Sequence, residues 1–139
     1  MEHLNEFIAI NWIMILVWFF LLGMIIHSFI KASYDLSPQQ VVQLMSHEAD
    51  SVIVDVREDS EFQSGYIQDS LHIPLSAFKS RINELDNYKQ KNVILGCRSG
   101  SRSARACNML KKNGFEKVHN LRGGIMAWEN DNLPIRKGR

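Results

Sequence analysis

Apolar residues fill positions 7–30 almost without a break. Asn11, His27 and Ser28 are the only clearly polar side chains in that stretch, and none carries a formal charge. Coiled as an α-helix, this segment rises about 36 Å, enough to cross a hydrocarbon layer of about 30 Å with some tilt. Lipid offers backbone amides no other partners, so a helix is the conformation it demands. Beyond residue 34 the pattern breaks into short alternating segments. Ser37, Pro38, Gln39 and Gln40 read as a helix start, with Ser as N-cap, Pro in the first turn and Gln at the third position, followed by an apolar face of Val41, Val42, Leu44 and Met45. Residues 51–56 hold Val52, Ile53, Val54 and Val56, the near-continuous apolar run of a strand buried on both faces. Residues 72–74 form a short strand closed by Pro74, and Leu75, Phe78, Ile82 and Leu85 recur at helical spacing. Residues 93–95 are another buried strand, 103–112 a helix stopped by Asn113 and Gly114, 117–121 a last strand, and 124–128 the opening of a final helix ended before Leu133 and Pro134. Strands alternating with helices predict an α/β domain with a mostly parallel central sheet flanked by helices.

The expected organisation is a transmembrane anchor with a short linker over 1–33 and one domain over 34–139. A chain of 139 residues accommodates one such domain of about 100 residues plus the anchor. A cleaved signal peptide would have a basic start, a shorter apolar core and a small-residue cleavage site; here the start is acidic, the core is long and no Ala-x-Ala follows. An interfacial helix would need a charged face, which is lacking. Lys31 flanks the C-terminal side and no Lys or Arg flanks the N-terminal side, so the positive-inside rule places the N-terminus outside and the domain in the cytoplasm. A bacterial inner membrane is the expected host. The link over 31–34 is very short, so the domain is expected close to the bilayer surface.

Charge changes this picture little. The net charge is +1, with nothing pointing to nucleic acid. Glu2 and Glu6 are the only charged side chains before residue 31, so the rest of the chain is mildly basic, which suits small anionic ligands. Cys97 and Cys107 are too few for a secreted disulfide framework, and their spacing matches no common metal site. A reducing compartment follows, and neither a metal nor a cofactor is expected.

The chemistry concentrates at Cys97, directly after the strand 93–95 and followed by Arg98, Ser99, Gly100, Ser101, Arg102 and Ser103, then a helix. In an open α/β sheet, ligands bind beyond the carboxyl ends of the strands. A loop entering a helix N-terminus aims several amides at one point, which favours a thiolate and any anion bound to it. Arg98, Arg102 and Arg105 add positive charge, and Gly96 and Gly100 let the backbone bend and approach a ligand. An inert buried cysteine would have no use for so many donors.

These residues carry a resemblance. Residues 52–58, Glu61, Phe62, residues 65–67 and residues 72–74 look like the first rhodanese signature. Residues 97–104 look like its active-site loop. Asn113, Gly114, Phe115, Val118, Asn120, Leu121 and residues 123–128 look like its C-terminal signature. The chain thus resembles a single rhodanese domain over about 100 residues, with Gly96 departing where relatives often carry a larger residue. The resemblance implies a sulfurtransferase in which Cys97 takes sulfane sulfur from a small anionic donor such as thiosulfate. It then passes that sulfur from a persulfide to an acceptor thiol, an acceptor protein or cyanide. It further implies that the amides of 98–103 cradle the outer sulfur and that Arg98 attracts the donor. Arg102 is expected to organise the loop through a carboxylate such as Asp55 or Glu61, or else to face the ligand.

Spacing separates this chemistry from a relative of similar design. Phosphatases with a cysteine loop need Cys-x5-Arg; that position is Ser103, and Arg102 gives Cys-x4-Arg. Cys107 is expected to be core, Asp55 and Arg57 scaffolding, Trp128 core, and His72 and His119 too strand-bound to act as a base. The rival class is a membrane-tethered rhodanese-like binding module that recruits a partner protein; retention of Cys97 and its loop argues for the enzyme.

Overall fold

The computed structural model of the chain describes residues 2–32 and 34–138, without the side chains of residues 2, 8 and 29–32. The side chain of Lys31, on which the orientation rests, lies outside the described residues, as do Ser33 of the linker and Arg139. Two compact units result, Met1–Ser33 and Tyr34–Arg139. The first is one helix, α1 (Glu2–Ala32), whose segment Ala9–Ser28 has a mean hydropathy of 2.4 and is long and apolar enough to cross a bilayer. Its described large apolar side chains are exposed almost throughout, among them Ile10, Phe20 and Met24.

The second unit runs β1 (Asp35–Leu36), α2 (Pro38–His47), β2 (Val52–Asp55), α3 (Asp59–Ser64), β3 (Leu71–His72), α4 (Leu75–Arg81), a 3-10 helix (Ile82–Tyr88), β4 (Asn92–Gly96), α5 (Ser101–Lys112), β5 (Lys117–Leu121) and α6 (Gly124–Asn130). The sheet order is β1-β5-β4-β2-β3 and every named pair is parallel. Alternation along the strands sends successive side chains to opposite faces. Val52 and Val54 join Val93, Leu95, Phe78, Ala106, Cys107 and Leu110 on one side, under α4 and α5. Ile53 joins Ile94, Leu121, Val41, Ile125 and Trp128 on the other, under α2 and α6. Trp128 also donates its indole N–H to the carbonyl of Pro134 at 3.0 Å.

The start of α2 follows its sequence. The Gln40 amide donates to Ser37 Oγ at 3.3 Å, and the Ser37 amide donates to Gln40 Oε1 at 2.9 Å, closing a capping box ahead of Pro38. Four elements differ from expectation. The helix begun at Leu75 gives way at Ile82 to the 3-10 helix, which still buries Leu85. Helix α5 begins at Ser101, two residues before the expected start, because Gly100 adopts a left-handed φ of 100° and turns the chain immediately after the loop. The strand β1 and the helix α3 had no apolar period to announce them: one has two residues, and the other six residues and no buried side chain.

The chain leaves β2 for β3 on one side and returns through β4 to the other. The crevice between the carboxyl ends of β2 and β4 is therefore the switch point at which open α/β sheets bind ligands. Cys97 follows β4 at that point.

Candidate active site

The loop from Cys97 to Gly100 is clamped from both ends. Helix α5 starts immediately after it. The first turn of α6 closes on it from the other side, with the Ile125 amide donating to the Cys97 carbonyl at 2.8 Å and the Met126 amide to the Arg98 carbonyl at 3.2 Å. Gly124 makes this approach possible: a β-carbon there would lie 2.3 Å from the Cys97 oxygen, and its φ is +60°. Gly96, by contrast, has no special role for its missing side chain, since a β-carbon would meet Leu121 at an ordinary 3.5 Å; the bend and close approach expected of it belong to Gly100.

Cys97 is fully buried, and Arg98, Ser99 and Ser101 around it are exposed. Its Sγ accepts the Gly100 amide at 3.0 Å and lies 3.3 Å from Ser103 Oγ. Burial alone would push the thiol pKa up. Donation from the Ser103 hydroxyl and from the amides of Ser103, Gly100 and Ser99 outweighs it, so the net displacement is downward. Cys107, ten residues further on within α5, is pushed up to about 12, chiefly by burial. Its Sγ lies 3.5 Å from the His119 carbonyl, inside the core cluster. The two thiols are thus sorted by their surroundings, one toward thiolate and one firmly neutral.

Of the expected site residues, Gly100 and Ser103 contact the sulfur, while Arg98, Ser99 and Ser101 form the exposed rim. Arg102 turns away to Glu61. Its Nη1 and Nη2 donate to the two carboxylate oxygens, each at 2.7 Å, and the Arg102 guanidinium holds the Glu61 carboxyl down to about 2. Asp55, the other carboxylate considered for Arg102, is taken by Arg57. The Arg57 guanidinium also donates to the Gly65 carbonyl at 2.6 Å, tying α3 to the end of β2. His72 donates Nε2–H to the Arg57 carbonyl at 2.7 Å and stacks on Phe62 with ring centroids 4.2 Å apart. His119 is engaged with Asn92 Oδ1 at 2.9 Å. Neither histidine is directed at Cys97, and among the described residues no cluster of His, Cys, Asp or Glu is suited to a metal ion.

One functional neighbour was not singled out by its sequence. Asn120 is 5% exposed at the end of β5. Its Oδ1 accepts the Ser103 hydroxyl at 2.5 Å, and its Nδ2 donates to Asp35 Oδ1 at 3.0 Å and to the Gly100 carbonyl at 3.2 Å. The available signal was a polar side chain at the carboxyl end of a buried strand, where an amide must find partners.

Comparison with known proteins agrees with this geometry. The chain is 37% identical over 101 residues to a sulfurtransferase of Allochromatium vinosum, an alignment covering 73% of this chain and 92% of that protein. It is 28% identical to the Escherichia coli protein YibN over the whole length of both. Its fold superimposes on the crystal structure of a rhodanese-related protein from Thermoplasma volcanium with a TM-score of 0.66 and 25% identity, covering 73% of this chain and 96% of that one. The family model for the rhodanese-like domain matches residues 37–131, and the chain belongs to that family.

Proposed function

We propose that this protein is a membrane-anchored sulfurtransferase that carries sulfane sulfur as a persulfide on Cys97. Sulfurtransferase-type function holds at the level of the family. The observation that carries the finer reading is the Cys97 sulfur held 3.0 Å from the Gly100 amide, among donors that favour its anion. In the first step the Cys97 thiolate attacks the outer sulfur of thiosulfate. A new S–S bond forms, the donor's S–S bond breaks, and sulfite leaves with the electron pair. The negative charge moves to the outer sulfur of the persulfide, in reach of the amides at 98–103. In the second step an acceptor thiolate, or cyanide, attacks that outer sulfur, and Cys97 departs as thiolate. Dividing the transfer in this way replaces one hard displacement by two easier ones. Arg98, exposed on the rim, attracts the anionic donor, and Ser99 and Ser101 flank its approach. Arg102 acts through Glu61 to hold the loop. The segment Ala9–Ser28 anchors the chain in a membrane with the domain on the cytoplasmic side, where thiols stay reduced. The acceptor is a small thiol or a protein thiol met at that membrane.

The test is turnover of the purified full chain in detergent with thiosulfate and cyanide, read as thiocyanate. Thiocyanate from the native chain and none above background from Cys97→Ser support the reading. No difference between the two, with cyanide or with a small thiol as acceptor, points instead to a binding module.

A further inference from the structure

Ser103 Oγ stands between two acceptors, Cys97 Sγ at 3.3 Å and Asn120 Oδ1 at 2.5 Å. A serine hydroxyl has one proton. The orientation of the Asn120 amide is not free: its Nδ2 faces the Asp35 carboxylate and the Gly100 carbonyl, both of which only accept, so Oδ1 must face Ser103. With the sulfur neutral, the hydroxyl donates along the shorter contact to Asn120 and offers its lone pairs to the thiol. A thiolate can recruit Ser103 only by taking that proton from a buried amide oxygen, which then has no donor.

We propose that Asn120 is a positioning residue for Cys97, acting through Ser103: it competes with the sulfur for the single hydroxyl proton and so favours the states in which the inner sulfur is uncharged. Resting on the persulfide reading, this gives the cycle a direction. When Cys97 is loaded, the charge sits on the outer sulfur and the Ser103 proton remains with Asn120. When Cys97 is unloaded, its charge returns to the inner sulfur and Ser103 is contested again. Asn120 therefore makes the empty thiolate the less comfortable of the two charged states, relieved either by sulfur on Cys97 or by a proton.

Other charged groups form a constant background. They are Arg98 on the loop, Arg102 and Arg105 on α5, Glu58 at the cap of α3 and Glu61 within it, the Asp55–Arg57 pair at the end of β2, and Asp35 on β1. From the turn after β3 and from α4 the same buried cluster receives Ile73 and Phe78, and the first turn of α6 carries no charge. The loop does not depend on Asn120 for its position, since the Gly100 carbonyl also accepts the Ala104 amide at 3.2 Å and α6 holds the carbonyls of Cys97 and Arg98.

The experiment is the pH dependence of iodoacetamide alkylation at Cys97 in the full chain, read by peptide mapping, with no sulfur donor present. Failure of this inference is thereby separate from failure of the persulfide reading, which the thiocyanate assay judges. In Asn120→Ala the apparent pKa of Cys97 falls by about one unit, the scale of a hydrogen bond released to a charged group. In Asn120→Asp, which keeps the acceptor and strengthens it, the pKa rises. In a Ser103→Ala background Asn120→Ala has no further effect. Mere loosening of the loop would move both Asn120 variants in the same direction, and that result overturns the proposal. So does an equal shift with and without Ser103. If Asn120→Ala does not fold, Asn120→Asp is measured with and without Ser103→Ala: a rise in the Cys97 pKa that is larger when Ser103 is present supports the proposal, and an equal rise in both, or none, is the contrary result.

Discussion

Arg102 and Glu61 meet in a two-pronged ion pair, each guanidinium nitrogen 2.7 Å from its own carboxylate oxygen, joining the first turn of α5 to α3 across forty-one residues of sequence. Arg102, which the sequence left between holding the loop and facing the ligand, is thus committed to a carboxylate. It holds in place the helix that begins where the cysteine loop ends.

This pair gives a pH dependence of known sign. The Glu61 carboxyl is held at about 2, below its ordinary 4.5, so its contribution to stability is fully present above 4.5 and is lost as pH falls from there toward 2. Both side chains are about 30% exposed, which limits the contribution to about 1 kcal/mol. Urea unfolding of the native chain and of Glu61→Gln at pH 6, 4 and 3 checks it. The gap between the two narrows on acidification; a gap that widens contradicts the assignment.

Gly124→Ala forces a β-carbon to within 2.3 Å of the Cys97 carbonyl oxygen and onto a left-handed backbone. Overpacking and strain together are expected to cost about 1–3 kcal/mol. The loop moves with the helix, so sulfur transfer falls more than stability alone explains. Thermal melts alongside thiocyanate turnover, measured well below the melting temperature, separate the two effects. Full activity in the folded variant would show that the close approach of α6 is dispensable.

The two cysteines are predicted to behave oppositely. Cys97 is shifted toward thiolate and Cys107 is pushed up to about 12 within the core. Iodoacetamide at neutral pH should therefore modify Cys97 alone in the native state, and both residues in urea. Cys107→Ala should leave thiocyanate turnover within about twofold of the native rate, because a buried neutral thiol behaves as a small hydrophobe. A large loss in that variant would give Cys107 a redox part in the cycle.

The apolar helix makes its own prediction. Alkaline carbonate treatment of membranes from cells expressing the full chain should leave the protein in the pellet, with peptides from residues 2–28 still attached to it. Release into the supernatant, or a mature chain lacking those residues, would replace the anchor by a peripheral or a cleaved segment.

What the sequence made legible follows the strength of its periodic signals. The strands around Ile53 and Ile94 stood out because burial on both faces leaves an unbroken apolar run, and Ser37 with Gln40 announced a capping box that formed as read. The loop after Cys97 was legible because donors cluster there in sequence as well as in space. What was not legible depends on contacts between distant segments. Nothing local marks Asp35 and Leu36 as a strand; they become one only by pairing with Asn120 and Leu121. Glu61 was one of two carboxylates open to Arg102, and only the prior engagement of Asp55 by Arg57 decides between them. Asn120 stood in view within a family signature, yet its place beside Ser103 follows from the parallel pairing of β5 with β4 and the start of α5, neither of which a spacing reveals.

The most direct test of the central claim is the mass of the Cys97 peptide after the full chain is incubated with thiosulfate and freed of excess donor. A persulfide adds about 32 Da at Cys97, is removed by a reducing thiol, and is absent in Cys97→Ser. A native chain that gains no sulfur from thiosulfate or any other sulfane donor, or that gains it at Cys107 instead, contradicts the account.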